Sequence, residues 1–502
     1  MRRDDNAART SALEMTPEEF RDAGQRLVER IAGFLSTLPE RPVSPNESPR
    51  SVRDLIGGPL PQAGEPAARL LDEAADLLFE HSLFNGHPRF WAYITSSAAP
   101  IGALADLLAA AVNPNVGGWD LAPIATEIEL ETVRWIADLI GYPAGCGGIL
   151  VSGGNMANFV GFLAARRARA PWDVRAEGLA GRPLRLYASA ETHTWVQKAA
   201  DLFGLGTNAI RWIPVDADFR MDVRALEEAI RRDREAGDLP FLVVGTAGSV
   251  STGAVDPLPE LARVAKEQGL WFHVDAAYGG FAAALPDAPP DLKALALADS
   301  VAVDPHKWLY APLEAGCTLV KDPATLTNAF SYQPSYYHYS ANMDEEPVNF
   351  HERGLQNSRG FRALKVWLGL RQAGRDGYVT MIGDDVRLAR ELFDRASGEP
   401  EIEALTCALS IATFRFVPRD LAGDPSAEKY LNELNAELMK RIRASGAAWV
   451  SNALVHGKFA LRACIVNFRT TSADVASLPP LAASLGRAVD AELRPALRAA
   501  GR

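Results

Sequence analysis

Apolar and polar residues alternate with different rhythms along the 502-residue chain, and each rhythm predicts its own kind of element. Between residues 17 and 38, Phe20, Leu27, Ile31, Phe34 and Leu38 recur at helical spacing. A helix is expected there, with one face buried against the body of the protein or another subunit. Thr16-Pro17-Glu18-Glu19 marks its start: threonine can cap free amides, proline suits the first turn, and Glu19 stands where a capping-box acid reaches back. The stretch "LPERPVSPNESPR" that follows holds four prolines and reads as an extended linker. Residues 1–86 are therefore expected to form a helical arm.

From about residue 148 short apolar runs alternate with helical patterning. The runs are "GILVS", "LRLYAS", "FLVVGT", "LWFHVD" and "SVAVD", and helical stretches such as 157–169 and 258–268 lie between them. That alternation predicts an α/β domain with a mostly parallel sheet covered by helices, spanning residues 87–375. Residues 328–358 are rich in Tyr and His with weak periodicity, and read as a long loop. Beyond 376 come strand-like "ALSIATFRFV", a helix near 426–444, strand-like "AAWVS" and "FALRACIVNFR", and a helix from about 473. Residues 376–502 are expected to form a small α+β domain.

Composition narrows the function more than the fold. Apolar residues at 48% and charged residues at 23% are ordinary globular usage. A formal charge of -11 without a dense Lys/Arg cluster argues against nucleic acid as a partner. Cys146, Cys317, Cys407 and Cys464 are widely separated and lack zinc-ligand spacing, so no metal site is expected. The N-terminus has no apolar signal core and no run of about 18 apolar residues occurs, which predicts a cytoplasmic protein with no membrane partner.

In parallel sheets ligands gather outside the C-terminal strand ends, and here those ends hold Ser152-Gly153-Gly154-Asn155, His193, Thr246, Asp275 and Lys307. Gly153-Gly154-Asn155 joins a strand to a helix, where small residues and free amides admit an anion; steric need at a turn also explains glycine. Asp275 follows an apolar strand, and a carboxylate there must meet a cation or a donor, or cap a helix. Lys307 comes 32 residues later, room for one helix and one strand. Pyridoxal phosphate requires a lysine for its aldehyde, a carboxylate for its ring nitrogen and a cradle for its phosphate. One sheet edge offers all three. A dinucleotide is disfavoured, because the turn lacks Gly-x-Gly-x-x-Gly.

Together "HPRFWAY", "TEIELETVRWI", "SGGNMANFVGFLAAR", "AGSVSTGAVDPL", "WFHVDAAYGG", "DPHKWL" and "RGFRALKVWLGLR" resemble the group II pyridoxal-phosphate-dependent amino-acid decarboxylases, the family of aromatic-amino-acid decarboxylase. The resemblance implies a type I pyridoxal-phosphate fold and a homodimer with shared active sites and a wrapping arm. It implies a small-molecule amino-acid substrate that is decarboxylated to the amine and carbon dioxide. By the same resemblance Lys307 anchors the cofactor, Asp275 holds its ring nitrogen and His193 stacks on the ring. Gly154 and Asn155 would bind the phosphate, with Thr246, Ala277, Asp304 and His306 also at the cofactor.

The resemblance places Thr95, Asn115, Gly117 and Phe350 toward the substrate. Three of these positions depart from the pattern. Phe350 stands where aromatic-amino-acid decarboxylases usually place a proton-donating loop tyrosine, so Tyr336, Tyr337, Tyr339 or His193 would have to serve. It also motivates a second reading, an aldehyde synthase that depends on decarboxylation. Asp304 stands where relatives often have a neutral Asn near the phosphate, and must bind His306 or an amide to avoid repulsion. Asn115 and Gly117 replace larger apolar residues. A third reading, a non-catalytic scaffold, conflicts with the intact Lys307, Asp275 and His193.

Overall fold

The apolar runs form strands because residues buried on both faces need no polar side to turn toward water. A computed structural model describes residues 11–332 and 347–500, with side chains to 494. Tyr336, Tyr337 and Tyr339 lie outside the described residues.

The large sheet comprises β1 (Gly147–Val151), β2 (Leu184–Ser189), β3 (Ile210–Ile213), β4 (Leu239–Thr246), β5 (Trp271–Asp275), β6 (Ser300–Val303) and β7 (Gly316–Val320). Their order is β1-β7-β6-β5-β4-β2-β3. β7 runs antiparallel to β1 and β6, and the other pairs are parallel. β3 and β7 escape the sequence pattern. "IRWI" is too short to show alternation, and "GCTLV" follows a turn rather than a helix. The helix Gly154–Arg169 crosses β4 to β7 and buries Phe159, Val160, Phe162 and Leu163.

The small domain's sheet is antiparallel: β8 (Ile402–Ala408), β9 (Ile411–Phe416), β10 (Ser451–Val455) and β11 (Lys458–Cys464), in the order β10-β11-β9-β8. The strand expected from "ALSIATFRFV" is two strands, reversed at Leu409 with φ +48°. "AAWVS" is mostly the approach to β10, though Trp449 bridges to Phe90. The helix Ala363–Gly398 spans both bodies. Its Val366, Leu370 and Ile382 join the large core, and its Leu388, Leu392 and Ala396 join the small one. Within the part packed on the large core, between Leu370 and Ile382, Gly374 breaks helical geometry at φ 65°, which admits the bend.

In the arm, helix Pro17–Thr37 starts with the expected capping box: Glu19 N donates to Thr16 Oγ1 (3.2 Å) and Thr16 N to Glu19 Oε2 (2.8 Å). The proline-rich linker is shorter than expected, because Ser48 caps a helix at Pro49–Ile56. Phe34 stacks on Phe79 of helix Ala67–His81, with centroids 4.5 Å apart, whereas Phe20 and Ile31 stay exposed. The region expected as a loop begins inside helix Ala324–Phe330, and Phe350–Glu352 is a single 3-10 turn. Among the described residues no helix is long and apolar enough to cross a membrane.

Candidate active site

The C-terminal ends of β1, β2, β4, β5 and β6 converge on a cavity of about 310 Å³. Gly154, Asn155, His193, Thr246, Asp275, Ala277, Asp304, His306 and Lys307 all line it, joined by Tyr93, Glu191 and Arg462. Register explains the meeting: Thr246 pairs with Asp275 and Asp275 with Ala302, so the residues beyond each strand emerge side by side.

The glycine turn is shaped by what presses on it. Gly153 has φ +80°, and a Cβ there would meet the His306 ring at 3.2 Å. A Cβ on Gly154 would come within 2.6 Å of Asp304 Oδ2. A relay braces the turn from beneath the sheet: Trp271 Nε1 donates to Ser300 Oγ (2.8 Å), and Asn158 Nδ2 donates to Gly154 O (2.9 Å). His273 spans the gap, with Nδ1 2.7 Å from Ser300 Oγ and Nε2 2.7 Å from Asn158 Oδ1. Full burial pushes the His273 imidazole down to about 4, which keeps it neutral for this bridging role.

Asp275 is held unevenly among the described residues. Trp195 Nε1 donates to Oδ2 at 2.8 Å, while Oδ1 accepts just a 3.2 Å bond from Ala277 N. The free capacity at Oδ1 suits a further donor. Trp195 begins the helix just past His193, and Trp195 N donates to His193 Nδ1 at 3.3 Å. Thr192 and Thr246 hydroxyls lie 3.4 Å apart, and Thr246 N donates to Asp256 at 2.8 Å.

Lys307 Nζ lies 3.0 Å from Asp304 Oδ2, so the carboxylate meets the lysine in addition to the expected His306. His306 Nε2 stands farther off at 3.6 Å, and its Nδ1 accepts from Ala315 N (3.1 Å). Burial holds the His306 imidazole below its ordinary value. The segment beyond the lysine is anchored to the long helix, since Trp308 Nε1 (3.0 Å) and Tyr310 Oη (2.8 Å) both donate to Asp385.

The four residues expected at the substrate do not line this cavity. Thr95 follows the lining residue Ile94, and its Oγ1 is buried without a partner among the described residues. Asn115 Oδ1 accepts from Gly117 N (3.1 Å) and Arg359 N (3.0 Å), which organises a turn. Gly117 lies under Asn357, whose carbonyl leaves no room for a Cβ. Phe350 is fully buried, its ring 4.6 Å from the Arg359 guanidinium.

Two contributors escaped the sequence, Arg462 in the cavity lining and Trp195 behind it. Trp195 carries no motif and meets Asp275 only across 80 residues. Arg462 did leave a signal, a charge inside the apolar run "FALRACIV". It is 3% exposed, donates from Nε to Ser451 Oγ (2.9 Å) and from Nη1 to Val250 O, and has no carboxylate partner among the described residues.

A family model described as the pyridoxal-dependent decarboxylase conserved domain matches residues 49–416. The chain belongs to the pyridoxal-dependent decarboxylase family. Aromatic-L-amino-acid decarboxylase of Bacillus atrophaeus is 32% identical over 92% of this chain and 94% of its own length. Phenylacetaldehyde synthase of Arabidopsis thaliana is 30% identical over 90% of this chain and 92% of its own. The Oryza sativa TDC, solved with PLP and tryptamine, superposes with a TM-score of 0.88 at 28% identity, covering 95% of this chain and 99% of its own. This decarboxylase is thus a carboxy-lyase with pyridoxal phosphate as cofactor, on the type I fold. The geometry fits that group: a glycine turn at a helix N-terminus for phosphate, a lysine amine within the cavity, and a carboxylate with an oxygen to spare.

Proposed function

We propose that this decarboxylase converts an L-amino acid to its amine and carbon dioxide, with Lys307 holding the cofactor aldehyde. Asp275 holds the ring nitrogen, His193 covers the ring, and Gly154, Asn155 and His306 face the phosphate, with Thr246 and Ala277 alongside. The observation that carries the reading is the convergence of Lys307, Asp275 and His193 on one cavity. Bound there, the cofactor supplies the electron sink that allows the α-carboxylate to leave. Arg462, a buried cation without a carboxylate partner among the described residues, is the group that meets the substrate carboxylate and orients it.

The working unit in this proposal is a homodimer in the cytoplasm, with an arm at 1–86, a cofactor domain at 87–375 and a small domain at 376–502. Exposed Phe20, Ile31, Leu104, Leu107 and Leu108 support a covered face, the separate core of Leu388, Leu392 and Ala396 with β9 and β11 supports a small domain, and four free cysteines suit a reducing compartment. An aldehyde synthase is the second reading, favoured by Phe350 and by the phenylacetaldehyde synthase relative. Phe350 is buried outside the described cavity of its own chain. A panel of amino acids assayed for carbon dioxide, oxygen uptake and peroxide decides between them. Amine without peroxide supports decarboxylation alone; aldehyde with peroxide supports the second reading; no carbon dioxide from any of them overturns both.

A further inference from the structure

We propose that Tyr278 is a positioning residue for Arg462: by pinning the turn between β8 and β9 to the large domain, it sets where the guanidinium stands over the cavity. The inference rests on the assignment of Arg462 to the substrate carboxylate and adds the part that holds that charge in place.

Three observations carry it. The first is a socket: the small-domain turn at Ala408, Leu409 and Ser410 enters the large domain beside Gly248, Gly253 and Gly279, none of which has room for a side chain. A Cβ on Gly253 would stand 2.4 Å from Ala408 O, and one on Gly248 or Gly279 would stand 3.1 Å or 2.9 Å from Leu409 Cδ1. The second is a pin. Tyr278 Oη lies 2.8 Å from Ser410 Oγ and accepts from Ser410 N at 2.9 Å, so one hydroxyl meets both the side chain and the backbone of a fully buried residue. The Tyr278 ring lines the cavity and stacks on Trp308, with centroids 4.8 Å apart. The third is a path to the charge. Ser410 O accepts from Ile465 N (2.8 Å), and across β9 and β11 Ile411 pairs with Cys464 and Thr413 with Arg462.

Arg462 belongs to the small domain, whereas the other groups proposed to hold the cofactor belong to the large one. Its guanidinium bridges the two, with Nε on Ser451 Oγ of β10 and Nη1 on Val250 O, between Gly248 and Gly253 of the socket. Its reach to a carboxylate therefore depends on how the two domains seat, and a charged hydrogen bond weakens steeply once distance and angle leave their optimum. Without the Tyr278 hydroxyl, Ser410 N is left buried with no acceptor, so the turn must shift or draw in water to satisfy it. The register of β9 on β11 passes that shift to Arg462.

The test uses the holoenzyme with the amino acid of the panel that releases carbon dioxide fastest, and with the amine it yields as an inhibitor. Tyr278→Phe keeps the ring on Trp308 and removes the hydroxyl alone, so kcat/KM should fall about tenfold. The cofactor dissociation constant and inhibition by the amine, which lacks the carboxylate, should stay within about twofold of wild type, a selectivity that general loosening of the fold would not show. Gly253→Ala unseats the turn from the opposite side and should give the same pattern. In the Arg462→Gln background either substitution should cost less than about twofold. Wild-type kcat/KM in either variant would overturn the proposal. So would a loss that persists undiminished beside Arg462→Gln, or an equal loss of amine binding, which would assign Tyr278 to the shape of the cavity. Arg462→Gln with wild-type kcat/KM would fault the carboxylate assignment itself, and this proposal with it.

Discussion

Replacing Trp195 with phenylalanine removes the N–H that holds Asp275 and shrinks a buried ring, a packing loss that the thermal melt reads separately. The ring is fully buried and meets His273 edge-on at 5.6 Å, and phenylalanine keeps most of that apolar contact. What disappears is the 2.8 Å bond from Nε1 to Asp275 Oδ2, leaving a carboxylate 7% exposed with only the 3.2 Å contact from Ala277 N. A hydrogen bond to a charged group is worth about 1.5–3 kcal/mol, or roughly 10- to 150-fold at about 1.4 kcal/mol per decade. Because Asp275 is proposed to grip the cofactor's ring nitrogen, that loss should appear as weaker cofactor affinity and lower kcat, with KM moving little. The assay is a double-mutant cycle with Asp275→Asn, reading the cofactor dissociation constant, kcat and the thermal melt of all four proteins. If Trp195 acts through Asp275, its substitution costs less than about twofold once Asp275 is changed. Full activity and affinity in Trp195→Phe would refute the reasoning, and so would a loss that persists undiminished in the Asp275→Asn background.

Arg462→Gln should lower kcat/KM by roughly 10- to 100-fold while cofactor affinity stays near wild type, since it removes a charged hydrogen bond to the substrate alone; steady-state kinetics beside a cofactor titration checks this. His273 is held neutral at about 4 against an ordinary 6.5, so between these values the unfolded chain binds the extra proton and the native state does not. Its contribution is therefore complete above pH 6.5 and declines by about 3 kcal/mol toward pH 4. Asp256 and Asp385, raised by burial to about 6 and about 7, act in the opposite sense over that range, so the measurement is the difference in unfolding free energy between wild type and His273→Asn. That difference should narrow as pH falls, and a constant difference would contradict it. Glu129→Ala leaves the buried Arg359 guanidinium without its carboxylate and should cost about 3–5 kcal/mol, seen as a marked fall in melting temperature.

Much of the site was legible because its parts obey local rules. Buried strands announce themselves as apolar runs, a helix entered from a strand needs small residues at the turn, and reactive groups sit where strands end. Gly154, Asp275 and Lys307 each follow such a run, so their meeting on one edge could be anticipated from order alone. The capping box at Thr16 is equally local, since it depends on residues within one turn of itself.

Contacts between distant elements had no such signature, because a hydrogen bond across the fold is set by sheet order and register rather than by neighbours in the chain. Asp275 finds Trp195 because β2 and β5 both flank β4 and the helix after β2 returns over their ends. Arg462 reaches Val250 across 212 residues because the small domain lays β11 along the cavity. The same dependence governs Thr95, Asn115, Gly117 and Phe350, whose sequence positions could not say which wall they would join. The amino-acid order alone determined which residues could carry the chemistry. Only the tertiary structure decided which of them share one cavity, since sheet order and register bring the ends of β2, β4, β5 and β6 side by side.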